Sequence, residues 1–163
     1  MPPVVHTLEQ LKVSIAQQPD QWRPLVFTNG CFDLIHAGHV RYLTAAKALG
    51  RSLIVGLNRD ASVRQLKPQP SGCPTRPIIP EQQRAEVVAA LKPVNAVLLF
   101  SESTACQAIA TLQPDIYVKG GDYQLNTLPE ASTVRAYGGK IHLIPIELSC
   151  STSAIIQTIM ASS

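Results

Sequence analysis

The chain of 163 residues lacks the features of secreted, membrane-embedded and nucleic-acid-binding proteins. Its first ten residues contain no charged segment followed by an apolar core, so we expect no secretory signal. No apolar run approaches the length needed to cross a bilayer. The basic residues are scattered and the net charge is only +3, so we expect neither a nucleic acid nor a membrane as partner. The mild positive charge is equally compatible with small anionic substrates. We expect the protein to be cytoplasmic.

Cysteine is scarce, and its spacing excludes common metal and redox motifs. The four cysteines stand at positions 31, 73, 106 and 150, with no CxxC pair. We therefore expect reduced thiols and no metal site built from protein ligands. Repeats and low-complexity segments are also absent. The apolar content of 45% is typical of one ordinary globular domain.

Apolar runs alternate with amphipathic segments along most of the chain. Strands are predicted at 25–28, 53–57, 96–100, 116–118 and 141–146. Helices are predicted at about 38–49, 60–66, 80–91, 104–112, 129–137 and 151–160. The alternation predicts an α/β domain with a parallel sheet, whose ligands bind at the carboxyl ends of the strands. We assign residues 1–24 to an N-terminal helix and connector, and residues 25–160 to the core of a single domain.

The sequence His36-Ala37-Gly38-His39 lies where the first predicted strand passes into a helix. A helix N-terminus presents unpaired N–H groups that bind phosphate. The glycine lets the backbone approach a ligand, and the imidazoles add hydrogen-bond donors. Metal binding by the two histidines is not expected, because no third ligand stands at motif spacing. The pattern predicts a phosphate site with His36 and His39 as catalytic residues.

Further polar residues follow the first two predicted strands, and each of them also has a purely structural interpretation. Asn29 and Gly30 are typical of a tight turn or of a phosphate-binding loop. Phe32 favours the core, whereas Asp33 favours a turn-fixing hydrogen bond or a substrate contact. Asn58 and Asp60 fit either a helix cap or a ligand site.

Three further segments carry candidate ligands for phosphate. Lys67 begins a loop rich in proline and glycine, 67–79, which we expect to be a mobile lid. Arg76 and Arg84 flank the entry into the next helix, where Arg84 either binds phosphate or lies on a solvated face. Residues 119–123 (KGGDY) form either a ligand loop or a turn, and residues 150–153 (CSTS) form either an N-cap or an anion-binding cradle.

Together these segments resemble a known enzyme family. The HxGH motif is shared by the nucleotidyltransferase superfamily that includes the cytidylyltransferases and pantetheine-phosphate adenylyltransferase. Over residues 25 to about 160, the chain resembles the adenylyltransferase half of the bacterial ADP-heptose synthases. The matching segments are VFTNGCFDLIHAGHVRYL, IVGLNRDASV, RPIIPEQQR, DIYVKGGDY, YGGK and CSTSAII.

The resemblance implies a Rossmann-like, doubly wound sheet of five parallel strands in the order 3-2-1-4-5, with helices on both faces. It implies transfer of AMP from ATP to D-glycero-β-D-manno-heptose 1-phosphate, which yields ADP-heptose for lipopolysaccharide and releases pyrophosphate. Mg²⁺ is expected on the nucleotide. A separate sugar kinase is expected to act upstream. Oligomeric state stays open, although dimers are common among the relatives.

The resemblance also assigns roles to individual residues. The implied catalytic residues are His36, His39, Lys67 and Arg84. The implied nucleotide contacts are Thr28, Asn29, Gly30, Cys31, Phe32, Gly38, Lys119, Gly120, Ser151 and Thr152. The implied substrate contacts are Asp33, Asn58, Asp60, Arg76, Gly121, Asp122 and Tyr123.

Two departures from related sequences affect the choice of substrate. Cytidylyltransferases for glycerol phosphate carry an RTxGIST-type segment before the last helix, whereas residues 145–152 contain no arginine. This difference favours the heptose-type branch. Arg59 replaces the small residue usual between Asn58 and Asp60, so their roles stay open. The alternatives are a CTP-dependent enzyme acting on a phosphorylated alcohol, such as glycerol 3-phosphate, and a nucleotide-binding module without catalytic activity.

Overall fold

The computed structural model describes residues 5–67, 69, 71–121, 123–145 and 148–162. The strands are β1 (Val5–His6), β2 (Leu25–Gly30), β3 (Ser52–Asn58), β4 (Ala96–Phe100), β5 (Ile116–Gly120) and β6 (Lys140–Ile144). The helices are α1 (Leu8–Gln17), α2 (Pro19–Trp22), α3 (Ala37–Lys47), α4 (Asp60–Leu66), α5 (Glu81–Ala89), α6 (Cys106–Leu112), α7 (Ala131–Ala136) and α8 (Thr152–Ala161). No helix within these ranges is long and apolar enough to cross a membrane.

The strands form one parallel sheet in the order β1-β4-β3-β2-β5-β6. The five predicted strands therefore adopt the expected order 3-2-1-4-5, and the α/β class is confirmed. The two-residue strand β1 adds a sixth member beside β4, with Val5 opposite Val97. Residues 1–24 are thus more than a helix and connector, since they also extend the sheet and contain α2. A two-residue strand gives almost no periodic signal, so the sequence does not reveal it.

Two apolar layers cover the sheet because neighbouring strand residues face opposite sides. Phe27 of β2 packs on one face with α1, α6 and α7, whereas Val26 packs on the other with α3 and α5. All seven residues of β3 are buried, as expected for a central parallel strand. Each large apolar side chain buried in this way contributes about 1.5–3 kcal/mol.

The apolar spacing of Val87, Val88 and Leu91 predicts that these residues form the inward face of the helix at 80–91, and the structure of α5 differs. Val87 is 46% exposed, and the buried positions are Arg84, Ala85, Val88 and Ala89. An arginine occupies an inward position because its charge is paired inside the protein, as described below. An apolar pattern cannot identify such a residue.

The functional cavity is expected where the chain reverses its direction across the sheet. The chain passes from β2 to β3 and β4 on one side, and then crosses to β5 on the other side of β2. The crevice lies between the carboxyl ends of β2 and β5, where ligands of such sheets bind.

Candidate functional site

A cavity of about 690 Å³ opens at this crevice. On the α3 side it is lined by the HxGH turn and the start of α8, and on the α6 side by residues after β4 and before α7. Ligand sites commonly occupy about 300–1,000 Å³, so a nucleotide with a small second substrate fits.

The HxGH turn places two imidazoles together at the start of α3. His36 is the N-cap residue, and its ring centroid lies 3.9 Å from that of His39. A Cβ atom at Gly38 would lie 2.9 Å from both Cε1 and Nδ1 of His36. Glycine is therefore required at position 38 for the His36 ring to fold over the first turn of the helix.

One hydrogen bond fixes the tautomer of His39. The backbone N–H of His36 donates to Nδ1 of His39 over 3.3 Å, which leaves the ring proton on Nε2. Burial first, and then the charges of His36 and Arg76, together lower the pKa of His39 to about 4. Burial also lowers the pKa of His36. At neutral pH both rings are uncharged donors, and a bound polyphosphate would raise both pKa values.

The lowered pKa of His39 predicts a stability that depends on pH. Between pH 6.5 and about 4 the unfolded chain binds a proton that folded His39 does not, so stability falls as the pH falls. In a His39→Asn variant, which keeps an acceptor for the His36 N–H, we expect the melting temperature to fall less than in wild type over this pH range. His142→Ala, in an exposed position on β6, is the matched control. An equal dependence of melting temperature on pH in wild type and His39→Asn would contradict the lowered pKa of His39.

Asp33 joins three segments at the floor of the cavity. Its carboxylate is 1% exposed and accepts hydrogen bonds from Ile78 N, Ile79 N and Arg76 Nε over 2.9, 3.0 and 3.3 Å. Its backbone carbonyl accepts a hydrogen bond from the Thr152 hydroxyl. These bonds match the turn-fixing interpretation. They do not support direct substrate contact by the carboxylate, since it is already engaged.

Cationic side chains line the same cavity. Lys67 is the C-cap residue of α4, and Arg76 is held by Asp33 with 15% of its side chain exposed. The ion pair with Asp33 places the Arg76 guanidinium near the HxGH turn, and its charge contributes to the lowered pKa of His39. Lys119 Nζ donates to the Asn29 carbonyl over 3.4 Å and lies 5.5 Å from the Tyr123 ring centroid. Burial lowers the pKa of Lys119 and raises that of the Cys31 thiol.

Arg84 does not line the cavity, so the structure places its side chain away from the predicted phosphate site. The side chain is 1% exposed and donates four hydrogen bonds to protein acceptors. These acceptors are the carbonyls of Ile79, Cys31 and Asn58 and the carboxylate of Asp60. Asp60 is thereby also placed outside the cavity lining, in an ion pair with Arg84 rather than as a substrate ligand.

Other predicted contacts are displaced for similar reasons. Thr28 is fully buried, and its hydroxyl lies 2.6 Å from the Tyr42 hydroxyl, so it is absent from the cavity wall. Gly121 is also outside the wall, where its N–H closes a turn onto the Ile144 carbonyl. Asp122 lies outside the described residues.

The start of α8 has the predicted N-cap and also lines the cavity. Ser151 is the N-cap residue and accepts a hydrogen bond from Ala154 N over 3.1 Å. Its hydroxyl and that of Thr152 are thus engaged within the protein, although both residues line the cavity. Contact of their backbone N–H groups with phosphate stays a prediction.

Most of the predicted residues do meet at the cavity. They are His36, His39, Lys67, Asn29, Gly30, Cys31, Phe32, Gly38, Lys119, Gly120, Ser151, Thr152, Asp33, Asn58, Arg76 and Tyr123. Phe32 is also 6% exposed and packs with the core, as its structural interpretation predicts.

Sequence reasoning missed five polar residues in the described part of the wall: Arg41, Tyr42, Ser103, Thr104 and Glu130. The position of Ser103 and Thr104 after a predicted strand was a usable signal, because strand ends converge at the ligand edge. Glu130 stands near the start of a predicted helix, where an acidic residue is common and indicates no more than a terminus.

Comparisons with known proteins agree with this geometry. Residues 27–158 match a family model described as cytidylyltransferase-like. The chain is 46% identical over 158 residues to the bifunctional protein HldE of Citrifermentans bemidjiense, covering 97% of this chain and 31% of that protein. It is 47% identical over 152 residues to HldE of Trichlorobacter lovleyi, covering 93% and 30%. The chain thus spans about a third of the length of these curated relatives.

Solved structures share the fold. A lipopolysaccharide core biosynthesis protein from Thermoplasma volcanium matches with a TM-score of 0.61 and 27% identity, covering 77% of this chain and 97% of that one. A pantoate-β-alanine ligase from Francisella tularensis matches with a TM-score of 0.59 and 15% identity, covering 94% and 69%. The second likeness concerns the fold alone.

Proposed function

We propose that this chain, which belongs to the cytidylyltransferase-like family, transfers AMP from ATP to a sugar 1-phosphate. The proposed acceptor is D-glycero-β-D-manno-heptose 1-phosphate, and the products are ADP-heptose and pyrophosphate. The observation that carries the proposal is the pair of uncharged imidazoles facing a cavity lined by Lys67, Arg76 and Lys119. The heptose-type motifs and the HldE relatives support the choice of substrate.

The reaction follows from the chemistry of the groups present. A phosphate oxygen of the sugar 1-phosphate attacks the α-phosphorus of ATP in line, and the bond from that phosphorus to the bridging oxygen of pyrophosphate breaks. A phosphate dianion is already a nucleophile, so the step requires no general base. Catalysis then consists of positioning and of stabilising charge that moves onto the leaving group.

The residues of the cavity suit these two tasks. The Nε2–H of His39 is a fixed donor, and its neighbour His36 provides a second imidazole at the same helix start. We assign both to the triphosphate. Lys67 and Arg76 neutralise phosphate oxygens, and Arg76 takes the role first predicted for Arg84. Asp33 acts as a positioning residue because it orients Arg76.

Magnesium enters this scheme as part of the MgATP substrate. Over the described ranges, no cluster of three or more histidine, cysteine or acidic residues is arranged to hold a metal ion. Mg²⁺ prefers phosphate oxygens and water to a cage of protein ligands. When bound to ATP, it withdraws charge from the phosphates.

The nucleotide is expected to be ATP rather than CTP. The reasons are the heptose-type VKGGDY segment and the lack of arginine at 145–152. Pyrophosphate release should be measured with the two nucleotides at equal concentration, each with the heptose 1-phosphate and with glycerol 3-phosphate. A clear preference for CTP would refute the branch assignment, whereas turnover with neither would refute the proposed reaction.

Lys67→Ala is expected to lower kcat more than ATP affinity, because we propose that the lid delivers this lysine only when both substrates are bound. The far end of the lid is fixed already, since Ile78 and Ile79 donate to Asp33. Ligand-dependent hydrogen exchange should therefore be concentrated in residues 67–75. Lys92→Ala, an exposed lysine outside the cavity wall, is the matched control. Equal protection with and without ligands would leave Lys67 an ordinary solvated lysine.

A further inference from the structure

The wall of the cavity contains a buried carboxylate that the reaction scheme does not use. Glu130 is 4% exposed and lines the cavity together with Ser103 and Thr104. One carboxylate oxygen accepts a hydrogen bond from Ala105 N over 3.1 Å. A buried carboxylate is costly unless it is paired or binds a ligand, so its presence in an anion-binding cavity requires an explanation.

Polar groups at the ends of β2 and β5 share this cavity with Glu130. The Tyr117 hydroxyl donates to Asn29 Oδ1 over 2.7 Å. Burial and then the Glu130 carboxylate raise the pKa of Tyr117, and the same carboxylate opposes the lowering of the Lys119 pKa by burial. Glu130 and Lys119 line the same cavity, so the carboxylate and the ammonium group partly offset each other there.

The charges divide the cavity into two parts. Arg76 lies near the HxGH turn on the α3 side, whereas Glu130 lies on the α6 side with Ser103 and Thr104. Asp33, the other carboxylate in the described wall, is already held by Arg76 and two backbone N–H groups. A phosphate group is attracted to the first part, whereas in the second part Glu130 offsets the attraction of Lys119.

An acceptor that carries both phosphate and hydroxyl groups has one favourable orientation in this field. Its phosphate faces the cations, and its hydroxyl groups face Glu130, since an ionised carboxylate only accepts hydrogen bonds. Hydrogen bonds to a charged group are stronger than neutral ones, so they discriminate well between acceptors with and without a hydroxyl.

We propose that Glu130, with Thr104, forms the subsite for the hydroxyl groups of the acceptor and selects a polyhydroxylated sugar phosphate. This inference rests on the proposed function and adds specificity-determining residues to it. Glu130 is the main contact, and the Thr104 hydroxyl supplements it from the segment that follows β4.

The test compares Glu130→Gln with wild type. Glutamine keeps an oxygen for Ala105 N but loses the charge. We expect the KM for the heptose 1-phosphate to rise at least about tenfold, the effect of losing a hydrogen bond to a charged group, with the KM for ATP within about twofold. Thr104→Val should also raise the acceptor KM, by a smaller factor. The matched control is Glu102→Gln. It removes an exposed carboxylate that lies outside this cavity, in the segment between β4 and α6 that also contains Thr104.

The outcomes separate this inference from the proposed function. Wild type without turnover on any sugar 1-phosphate would overturn both. An active wild type with an unchanged acceptor KM in Glu130→Gln would overturn the subsite alone. A parallel rise in both KM values with a lower melting temperature would also overturn it, because Glu130 would then serve only to hold α6 and α7 together.

Discussion

His39→Ala is expected to lower kcat on the order of 10²-fold or more, the usual effect of removing one transition-state donor. The tautomer of His39 is fixed by the His36 N–H, so its Nε2–H is organised before the substrate arrives. The KM for ATP should rise less than kcat falls, because the contact strengthens as charge moves onto pyrophosphate.

Stability should change little in this variant. The lost hydrogen bond to His36 N costs about 1 kcal/mol, or roughly 2–4 °C in melting temperature for a chain of this size. His142→Ala is again the matched control, with kcat unchanged. Near-normal turnover of a folded His39→Ala enzyme would remove His39 from the mechanism.

Arg84→Ala is expected to lower the free energy of unfolding by about 3–5 kcal/mol, the usual cost of removing one partner of a buried ion pair. Three carbonyls and the Asp60 carboxylate lose a donor at once. At a few degrees per kcal/mol, the melting temperature should fall by roughly 10 °C. Arg84→Lys should not restore it, because one ammonium cannot reproduce the planar set of donors.

The control for this variant is Arg59→Ala. Arg59 pairs with Glu81 between the same two helices, but its side chain is 41% exposed, so its loss should cost less than about 1 kcal/mol. An Arg84→Ala protein with a normal melting temperature and a much weaker affinity for ATP would restore the original assignment of Arg84 to phosphate.

The position of the HxGH turn between β2 and α3 could be predicted from the sequence because its signals are local. A buried strand, a turn and a helix start follow one another within about twenty residues, and the helix N-terminus determines which groups face the ligand. The strand order came from the family resemblance, since alternation of strands and helices fixes the class but not the order.

The contacts of Arg84, Thr28 and Glu130 could not be predicted from local signals in this way. Arg84 has acceptors 5, 24, 26 and 53 positions away, and its burial depends on how α5 packs against the ends of β2 and β3. The partner of Thr28 is Tyr42, on the helix that covers β2. A motif identifies residue types, but only tertiary contacts decide whether a cation or hydroxyl faces the ligand or the protein.

The most direct test of the proposed function is the identity of the product formed by purified protein from MgATP and D-glycero-β-D-manno-heptose 1-phosphate. We expect mass spectrometry to detect ADP-heptose, with one pyrophosphate released per molecule, and His39→Ala to suppress both. Formation of a CDP-alcohol from CTP and glycerol 3-phosphate, with no ADP-heptose from ATP, would contradict it.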